Sequence, residues 1–256
     1  MSKETFIITG AGGVIGAQVA TRMAYRDVHL ILTDVSGASL ETLRDSLATL
    51  SLDDPMTIAF EVGDLNDVGF AEQLVGVASR DGGILGGCIN IAGIDRPVSR
   101  VSALSLDEMR MTFEVNVFAL MQLSQLVIRQ LLNQSHGGRI VNMASGAGLS
   151  GAPFMTAYNS SKHAVLGITR CLAKELAGDG IAVNAVCPGY VRSRMVSNIL
   201  DDIEELSGKQ FDPIPTIPAG RMAEPDEIAN VVEYLALDSP IYLTGTALLV
   251  DGGLYA

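Results

Sequence analysis

The chain has 256 residues, of which 48% are apolar and 18% are charged, and its formal net charge is −12 at pH 7. This composition excludes a disordered chain. The negative charge argues against nucleic acid and anionic membranes as partners, because both repel an acidic protein. Three widely spaced cysteines, Cys88, Cys171 and Cys187, favour reduced thiols in the cytoplasm over a disulfide framework or a zinc site. We expect no secretory signal, because a strand begins almost at Met1, and no membrane span, because no apolar run is long enough.

Short apolar runs alternate with longer amphipathic stretches along the chain. The apolar runs predict strands at residues 6–9, 28–33, 57–62, 87–91, 139–143, 181–186 and 247–250. The amphipathic stretches predict helices at residues 15–26, 39–50, 67–79, 105–133, 156–177 and 225–236. This β-α-β alternation predicts a single α/β domain over residues 1–256, a Rossmann-type doubly wound sheet of seven parallel strands with helices on both faces. Ligands of such sheets bind at the carboxyl ends of the strands.

A glycine-rich turn joins the first strand to the first helix, in the sequence Thr9-Gly10-Ala11-Gly12-Gly13-Val14-Ile15-Gly16. Glycine allows a tight turn, and the helix N-terminus offers free N–H groups and the positive end of a dipole to an anion. Glycine also serves ordinary turns, but the strand–turn–helix context favours a dinucleotide. The predicted cofactor contacts in this turn are Gly10, Gly12, Gly13, Val14, Ile15 and Gly16.

Asp34 ends the second strand, at the place where a carboxylate accepts hydrogen bonds from the adenosine ribose hydroxyls. The same charge would repel the 2′-phosphate of NADP. No Arg or Lys occurs at residues 10–16 or 35–37 to bind that phosphate. The sequence therefore predicts NAD as the cofactor. The alternative is an aspartate that caps a helix or stabilises a turn.

The ends of the third and fourth strands supply further candidate cofactor contacts. Asp64 and Leu65 follow the third strand and are candidates for adenine binding, although Asp64 fits equally well as the cap of the next helix. Asn90, Ala92 and Gly93 end the fourth strand, where small residues let a cofactor lie close to the backbone.

Tyr158 and Lys162 are four residues apart, so they share one face of a helix. A free tyrosine has a pKa of about 10, and a neighbouring ammonium lowers that pKa by favouring the phenolate. Alone, such a pair is typical of an ordinary helix surface. Ser145 strengthens the catalytic interpretation, because it follows a strand and lies at the edge of the sheet where its hydroxyl can orient a substrate oxygen; the alternative is a loop serine.

Asn116 lies inside the long apolar helix. A buried amide needs hydrogen-bond partners. From the residues alone, it is interpreted as a helix-kinking or hydrogen-bonded core asparagine.

In order and spacing, these motifs resemble the short-chain dehydrogenase/reductase family over nearly the whole chain. The resemblance also rests on Pro188-Gly189-Tyr190-Val191 and on Leu249-Val250-Asp251-Gly252-Gly253. It implies that Tyr158 is the general acid/base, that Lys162 lowers its pKa and binds the nicotinamide ribose, and that Ser145 orients the substrate oxygen. It further implies that Asn116 holds a water in a proton relay to Lys162, and that Pro188, Gly189 and Val191 contact the cofactor, Val191 through its backbone. Val14 and Ile91 stand where the family usually has glycine and a second asparagine.

The resemblance implies a dimer or tetramer, in which the helices at residues 105–133 and 156–177 pack across a two-fold axis. Residues 192–218, rich in acidic residues and proline, are interpreted as a substrate cover or a solvated surface excursion. Arg96, Arg192 and Arg194 are candidates to bind a substrate carboxylate, but we favour surface positions for each.

The sequence is compatible with three functions. The favoured one is an NAD-dependent dehydrogenase that acts on a small-molecule secondary alcohol, diol or ketone. The second is a 3-oxoacyl-thioester reductase, although such enzymes usually prefer NADP. The third is a non-catalytic, cofactor-sensing protein on the same fold.

Overall fold

The computed structural model describes residues 3–50, 58–80 and 83–256. Seven strands form one parallel sheet in the order β3-β2-β1-β4-β5-β6-β7, as predicted. The strands are β1 (Glu4–Thr9), β2 (Val28–Asp34), β3 (Ile58–Val62), β4 (Ile84–Asn90), β5 (Gly138–Met143), β6 (Ile181–Pro188) and β7 (Ala247–Val250). The predicted start of the third strand, Thr57, lies outside the described residues. Chain order reverses between β1 and β4, which creates the crevice where such sheets bind ligands.

Eight α-helices lie in the part of the chain that the structure describes. They are α1 (Val14–Met23), α2 (Gly37–Ala48), α3 (Val68–Ala78), α4 (Leu106–Phe113), α5 (Ala119–Gln134), α6 (Thr156–Leu176), α7 (Arg194–Ser207) and α8 (Pro225–Glu233). Helices α1, α2 and α8 pack on one face of the sheet, and α3, α5 and α6 pack on the other. The strand β1 shows why both faces are covered: Phe6 and Ile8 point into the first core, Ile7 points into the second, and all three are fully buried.

The predicted long helix at residues 105–133 is interrupted. A π-helical turn over Glu114–Phe118 separates α4 from α5. The turn widens around the buried Asn116, whose side chain bonds the backbone of Ile94, 22 residues away. A π-turn of this kind is frequent at functional sites.

Residues Leu106–Gln134 together are long and apolar enough to cross a membrane, by length and composition alone, with a mean hydropathy of 1.3 in their most apolar window. The expectation that no apolar stretch reaches this length was therefore wrong. Half of that window is buried inside the protein. A mostly buried core helix of a globular fold meets the same criterion of length and composition.

Helix α7 lies within the segment at residues 192–218, which the sequence analysis interprets as a substrate cover or a solvated surface excursion. The Ser193 hydroxyl caps it by accepting a hydrogen bond of 3.2 Å from the Val196 N–H, and Gly208 ends it in the left-handed conformation. None of its residues is fully buried. Two contacts hold α7 to the segment after β4, an ion pair of Arg96 with Asp202 and a hydrogen bond from Arg100 to the Leu206 carbonyl.

Candidate active site

A cavity of about 550 Å³ opens at the carboxyl edge of the sheet. It extends from the ends of β1, β2 and β3 to the ends of β5 and β6 and to the start of α7. Most of the residues predicted for the site line it: Gly10, Gly13, Val14, Ile15, Gly16, Asp34, Asp64, Leu65, Ala92, Gly93, Ser145, Tyr158, Lys162, Pro188, Gly189 and Val191. One cavity therefore joins the glycine-rich turn to the tyrosine–lysine pair.

The glycine-rich turn fits closely against its neighbours. Gly10 has a φ of +63°, and a Cβ there would lie 2.7 Å from the Ala92 nitrogen. A Cβ on Gly12 would lie 2.5 Å from the Cβ of Ser39. Val14, where the family usually has glycine, starts α1 with 48% of its surface exposed, so its side chain has room. The turn thus forms a backbone cradle at a helix N-terminus, a structure suited to a pyrophosphate.

Asp34 supports this turn as well as facing the cavity. Its Oδ2 accepts a hydrogen bond of 3.0 Å from the Gly12 N–H, and its Oδ1 accepts one of 2.9 Å from the Ser36 N–H. A carboxylate has about four acceptor positions, so two remain for the hydroxyls of a ribose. Gly12 itself does not line the cavity; its N–H fixes the orientation of Asp34.

The turn after β4 is held by Thr9, which the sequence interpretation did not single out. Its hydroxyl accepts hydrogen bonds from the backbone nitrogens of Ile91, at 3.1 Å, and Ala92, at 3.2 Å. A polar side chain at position 91 is therefore not needed to anchor this turn.

Asn90 was predicted as a cofactor contact, but its side chain lies inside the sheet instead. Its amide donates to the Ser124 hydroxyl at 3.1 Å and to the Asn142 carbonyl oxygen at 2.9 Å, and the residue is 3% exposed. Because β4 is central and covered on both faces, this side chain points into the core rather than toward the cavity.

The side chain of Asn116 is fully engaged by protein atoms. Its Nδ2 donates to the Ile94 carbonyl at 2.8 Å and to the Ser161 hydroxyl at 3.0 Å, and its Oδ1 accepts from the Ile94 N–H at 2.7 Å. Both amide hydrogens are used, so the predicted relay water cannot be held by a hydrogen of this side chain. The interpretation of Asn116 as a helix-distorting, hydrogen-bonded asparagine describes the observed contacts.

Ser145 and Tyr158 meet at the far end of the cavity. Ser145 follows β5, and its hydroxyl accepts a hydrogen bond of 3.1 Å from the Ala147 N–H. Burial raises the pKa of Tyr158 to about 12; the nearby Ser145 side chain acts against this rise, and the charge of Asp95 adds to it.

The pKa of Tyr158 is thus raised in the protein alone, and Lys162 is not among the groups that shift it. The lysine Nζ lies 5.6 Å from the centroid of the tyrosine ring. Burial lowers the pKa of Lys162 itself to about 8, which weakens the positive charge that acts on the phenol. The lysine is 4% exposed and donates a hydrogen bond of 2.9 Å to the Met143 carbonyl.

Several cavity residues were not identified from the sequence. They are mainly residues at strand ends, namely Thr33, Val35, Gly63, Asn66, Ile94, Val115, Ala119, Met143 and Ala144. Ser193, Met195 and Val196 also line the cavity and lie within the predicted cover at residues 192–218. Their positions in the chain would have identified them, because residues that flank the carboxyl ends of parallel strands lie at the same edge of the sheet.

The three arginines considered as carboxylate ligands differ in their surroundings. Arg96 pairs with Asp202, and Arg192 pairs with Glu224 at 2.8 Å. Arg194 lines the cavity at the start of α7, although a surface position was favoured for it.

Comparison with known proteins agrees with this geometry. Residues 10–255 match a family model described as enoyl-(acyl carrier protein) reductase. The chain is 35% identical to a diacetyl reductase [(S)-acetoin forming] of Staphylococcus epidermidis, over 99% of both chains. It is 31% identical to a 3-oxoacyl-[acyl-carrier-protein] reductase of Thermotoga maritima, over 97% of this chain and 96% of the relative.

Solved structures are similar over the same length. Levodione reductase superposes with a TM-score of 0.91 at 28% identity, over 99% of this chain and 98% of that one. NAD⁺-bound xylitol dehydrogenase gives 0.87 at 30% identity, over 98% of each chain. ElxO with NADP bound gives 0.86 at 26% identity, over 99% of each. Similar proteins thus include one solved with each form of the cofactor.

Proposed function

The chain belongs to the short-chain dehydrogenase/reductase family, an oxidoreductase family that uses a nicotinamide cofactor, and on this premise we propose that it interconverts a secondary alcohol and a ketone with NAD. The observation that carries the proposal is the single cavity that joins Asp34 and the glycine-rich turn to Ser145, Tyr158 and Lys162. A dinucleotide has its adenosine and nicotinamide at opposite ends. This cavity has Asp34 and the glycine-rich turn at one end, and Ser145, Tyr158 and Lys162 at the other.

We assign the cofactor to this cavity because its residues suit the parts of a dinucleotide. The cradle formed by Gly10 and its neighbours leaves room for a pyrophosphate beside the N-terminus of α1. Asp34 takes the adenosine ribose and disfavours a 2′-phosphate. Asp64 and Leu65 lie beside the adenine position, and Gly93 and Val191 lie toward the nicotinamide end. When bound, the nicotinamide accepts or releases hydride.

Three side chains carry out the proton chemistry. In alcohol oxidation, Tyr158 takes the hydroxyl proton of the substrate, and in ketone reduction it returns that proton. Ser145 holds the substrate oxygen beside the phenol, since both side chains line the same cavity and Ser145 acts on the pKa of Tyr158. Lys162 supplies the positive charge that favours the phenolate, and a second cation nearby would strengthen that effect against burial.

Asn116 contributes to this proton chemistry by position. Its side chain fixes Ile94. A Cβ on Gly93 would lie 3.0 Å from the Asn116 Oδ1 and 3.4 Å from the Lys162 Nζ, so the π-turn Glu114–Phe118 lies near the lysine. Where the backbone hydrogen bonds of a helix change from the i→i+5 spacing of a π-turn to the i→i+4 spacing of an α-helix, one backbone carbonyl is left without its usual donor. We propose that this backbone, rather than the side-chain amide, binds the water that relays a proton to Lys162.

The substrate class is proposed from the relatives and from the cavity lining. Diacetyl reductase and levodione reductase are named for ketones. We propose that residues 192–218, with α7, cover this substrate, because Met195 and Val196 line the cavity and contribute apolar surface. We also propose that residues 1–256 form a single domain.

A 3-oxoacyl-thioester reductase is the second candidate, supported by the relative that is 31% identical to the chain. Asp34 opposes it, because such reductases usually prefer NADP. Acetoacetyl-coenzyme A with NADPH distinguishes the two candidates. A kcat/KM for that pair above the value for every simple ketone with NADH would establish the thioester reductase.

The experiment that tests the proposal is a spectrophotometric screen of secondary alcohols and ketones with NAD and NADP. We expect turnover with NAD and a dependence on Tyr158. Tight NAD binding without turnover of any compound would overturn the proposal and favour a cofactor sensor.

We further propose a cytoplasmic homotetramer or homodimer. The compartment is supported by Cys88, Cys171 and Cys187, which are free thiols. The assembly is supported by apolar side chains exposed along α4 and the π-turn, where Leu106 is 62%, Met111 60% and Phe118 56% exposed.

A further inference from the structure

The segment after β4 carries a carboxyl group that the proposed mechanism does not use. Asp95 is only 8% exposed, and its Oδ2 is buried without a hydrogen-bond partner among the described residues. A buried polar atom without a partner is costly, and most such atoms in native proteins are paired. An unpaired carboxyl oxygen beside a cavity therefore indicates a ligand that brings a hydrogen-bond donor.

Asp95 is not itself a lining residue of the cavity, but it directly follows one in the chain. The preceding residue, Ile94, lines the cavity, and its N–H and carbonyl are both bonded by Asn116. The charge of Asp95 reaches Tyr158 and raises the pKa of that phenol. The Asp95 carboxyl thus lies within electrostatic range of the phenol that acts on the substrate oxygen.

The same segment is fixed on its other side. The Ser99 N–H donates a hydrogen bond of 2.9 Å to the Phe154 carbonyl, in the loop that leads to α6. The Ser99 hydroxyl is also buried without a partner in the described structure. Asp95 is thus held in a segment anchored at both ends, so a ligand would meet a preorganised acceptor.

The local charge favours a neutral donor over a cationic one. Burial raises the pKa of the Asp95 carboxyl, the charge of Asp202 adds to the rise, and the Arg96 guanidinium acts against it. A substrate ammonium would have to approach that guanidinium. A hydroxyl can donate to the carboxyl without this repulsion.

We infer that Asp95 is a specificity-determining residue that accepts a hydrogen bond from a second hydroxyl of the substrate, which makes the substrate a diol and the product its hydroxyketone. The inference rests on the proposed function, because the first hydroxyl is the one held by Ser145 and Tyr158. A site built to bind a hydroxyl discriminates strongly against an analogue that lacks it, since its own polar group is then left unpaired.

The test compares two alcohols with the same carbon skeleton, 2,3-butanediol and 2-butanol. We expect the wild type to have the higher kcat/KM for the diol. Asp95→Leu should reduce the diol-to-alcohol ratio of kcat/KM by about tenfold or more. Asp95→Asn, which keeps an acceptor oxygen, should give an intermediate ratio. Asp107→Asn removes the same charge from an exposed side chain paired with Arg110, and should leave the ratio unchanged.

NAD affinity and the unfolding midpoint of each variant show whether the site remains intact. Should Asp95→Leu not fold, the ratio in Asp95→Asn decides. An unchanged ratio, equal losses on both alcohols, or a wild type that prefers 2-butanol would overturn the inference and leave the proposed function standing. Absence of turnover with every secondary alcohol would overturn both.

Discussion

The side-chain nitrogen of Lys162 donates a hydrogen bond of 2.9 Å to the backbone carbonyl of Met143, at the end of β5. The lysine reaches this carbonyl from α6 and is almost completely buried. Burial lowers its pKa from 10.5 to about 8. The charge that is proposed to act on Tyr158 is thus held close to its titration point and is sensitive to pH.

The stability of the protein should therefore rise with pH in a defined window. Between about pH 8 and 10.5 the unfolded chain keeps the Lys162 proton and the folded protein loses it, so stability increases with pH. Raising the pH from 7 to 10 should stabilise the wild type by about 2 kcal/mol more than Lys162→Met. Urea unfolding at the two pH values measures this difference.

Lys174→Met, which removes a lysine from the last turn of α6, is the matched control and should respond to pH as the wild type does. Parallel pH profiles for the wild type and Lys162→Met would contradict a depressed lysine pKa.

Tyr158→Phe should remove activity while the cofactor still binds. The substitution deletes the hydroxyl that is proposed to exchange the substrate proton, and it keeps the ring beside Lys162. We expect kcat to fall by a factor of about 10² to 10⁴, with the NAD dissociation constant within about twofold of wild type. Steady-state kinetics and fluorescence titration measure the two quantities. A variant with more than a tenth of the wild-type kcat would refute the assigned role.

The features that could be predicted from the sequence depend on residues that are close together along the chain. Tyr158 and Lys162 are one helical turn apart, and Ser145 directly follows a strand, so pattern alone places all three at the sheet edge. The π-turn could not be predicted, because it depends on the contact between Asn116 and Ile94, which the fold brings together.

The upward pKa shift of Tyr158 was missed for a similar reason. Sequence spacing reveals a neighbouring ammonium, whereas desolvation depends on the packing of several elements around the phenol. The direction of the Asn90 side chain could not be predicted either, because a strand-end asparagine can point to either face and its partners Ser124 and Asn142 belong to distant elements.

Asp34→Asn should relax the preference for NAD. The amide keeps an oxygen for the Gly12 or Ser36 N–H but removes the charge that repels a 2′-phosphate. We expect the NADP-to-NAD ratio of kcat/KM to rise by about tenfold or more, since like-charge contacts cost several kcal/mol. Asp45→Asn removes the same charge from the exposed face of α2 and should leave the ratio as it is. An unaltered ratio in Asp34→Asn would remove this residue from the argument for NAD.

Met111→Glu should weaken the proposed assembly. Met111 is exposed on α4, as are Leu106 on the same helix and Phe118 in the π-turn, and a charge at Met111 would be buried without a partner if this surface packs against a second copy. Sedimentation velocity should show the wild type as a dimer or tetramer and Met111→Glu as a smaller species. Tyr25→Glu places a charge on an equally exposed residue after α1 and should not change the assembly. A variant that sediments like the wild type would exclude this face as the interface.

Removal of the two contacts that hold α7 should loosen the proposed substrate cover. Arg96 pairs with Asp202, and Arg100 donates a hydrogen bond of 2.7 Å to the Leu206 carbonyl, so both join the segment after β4 to the same helix. Exposed ion pairs contribute about 0.2 to 1 kcal/mol each. Arg96→Ala with Arg100→Ala should therefore raise the substrate KM by about fivefold, with kcat within about twofold of wild type.

Hydrogen exchange separates a loosened cover from a damaged site. Amides of α7 should exchange faster in the double variant, while those of β5 and α6, which carry Ser145 and Tyr158, should keep their protection. Arg110→Ala, which breaks the exposed pair with Asp107 on α4, should alter neither KM nor the exchange of α7. If KM and α7 exchange both stayed at wild-type values in the double variant, these two contacts would have no part in positioning the helix, and the cover would have to depend on its apolar contacts with the cavity, through residues such as Met195 and Val196.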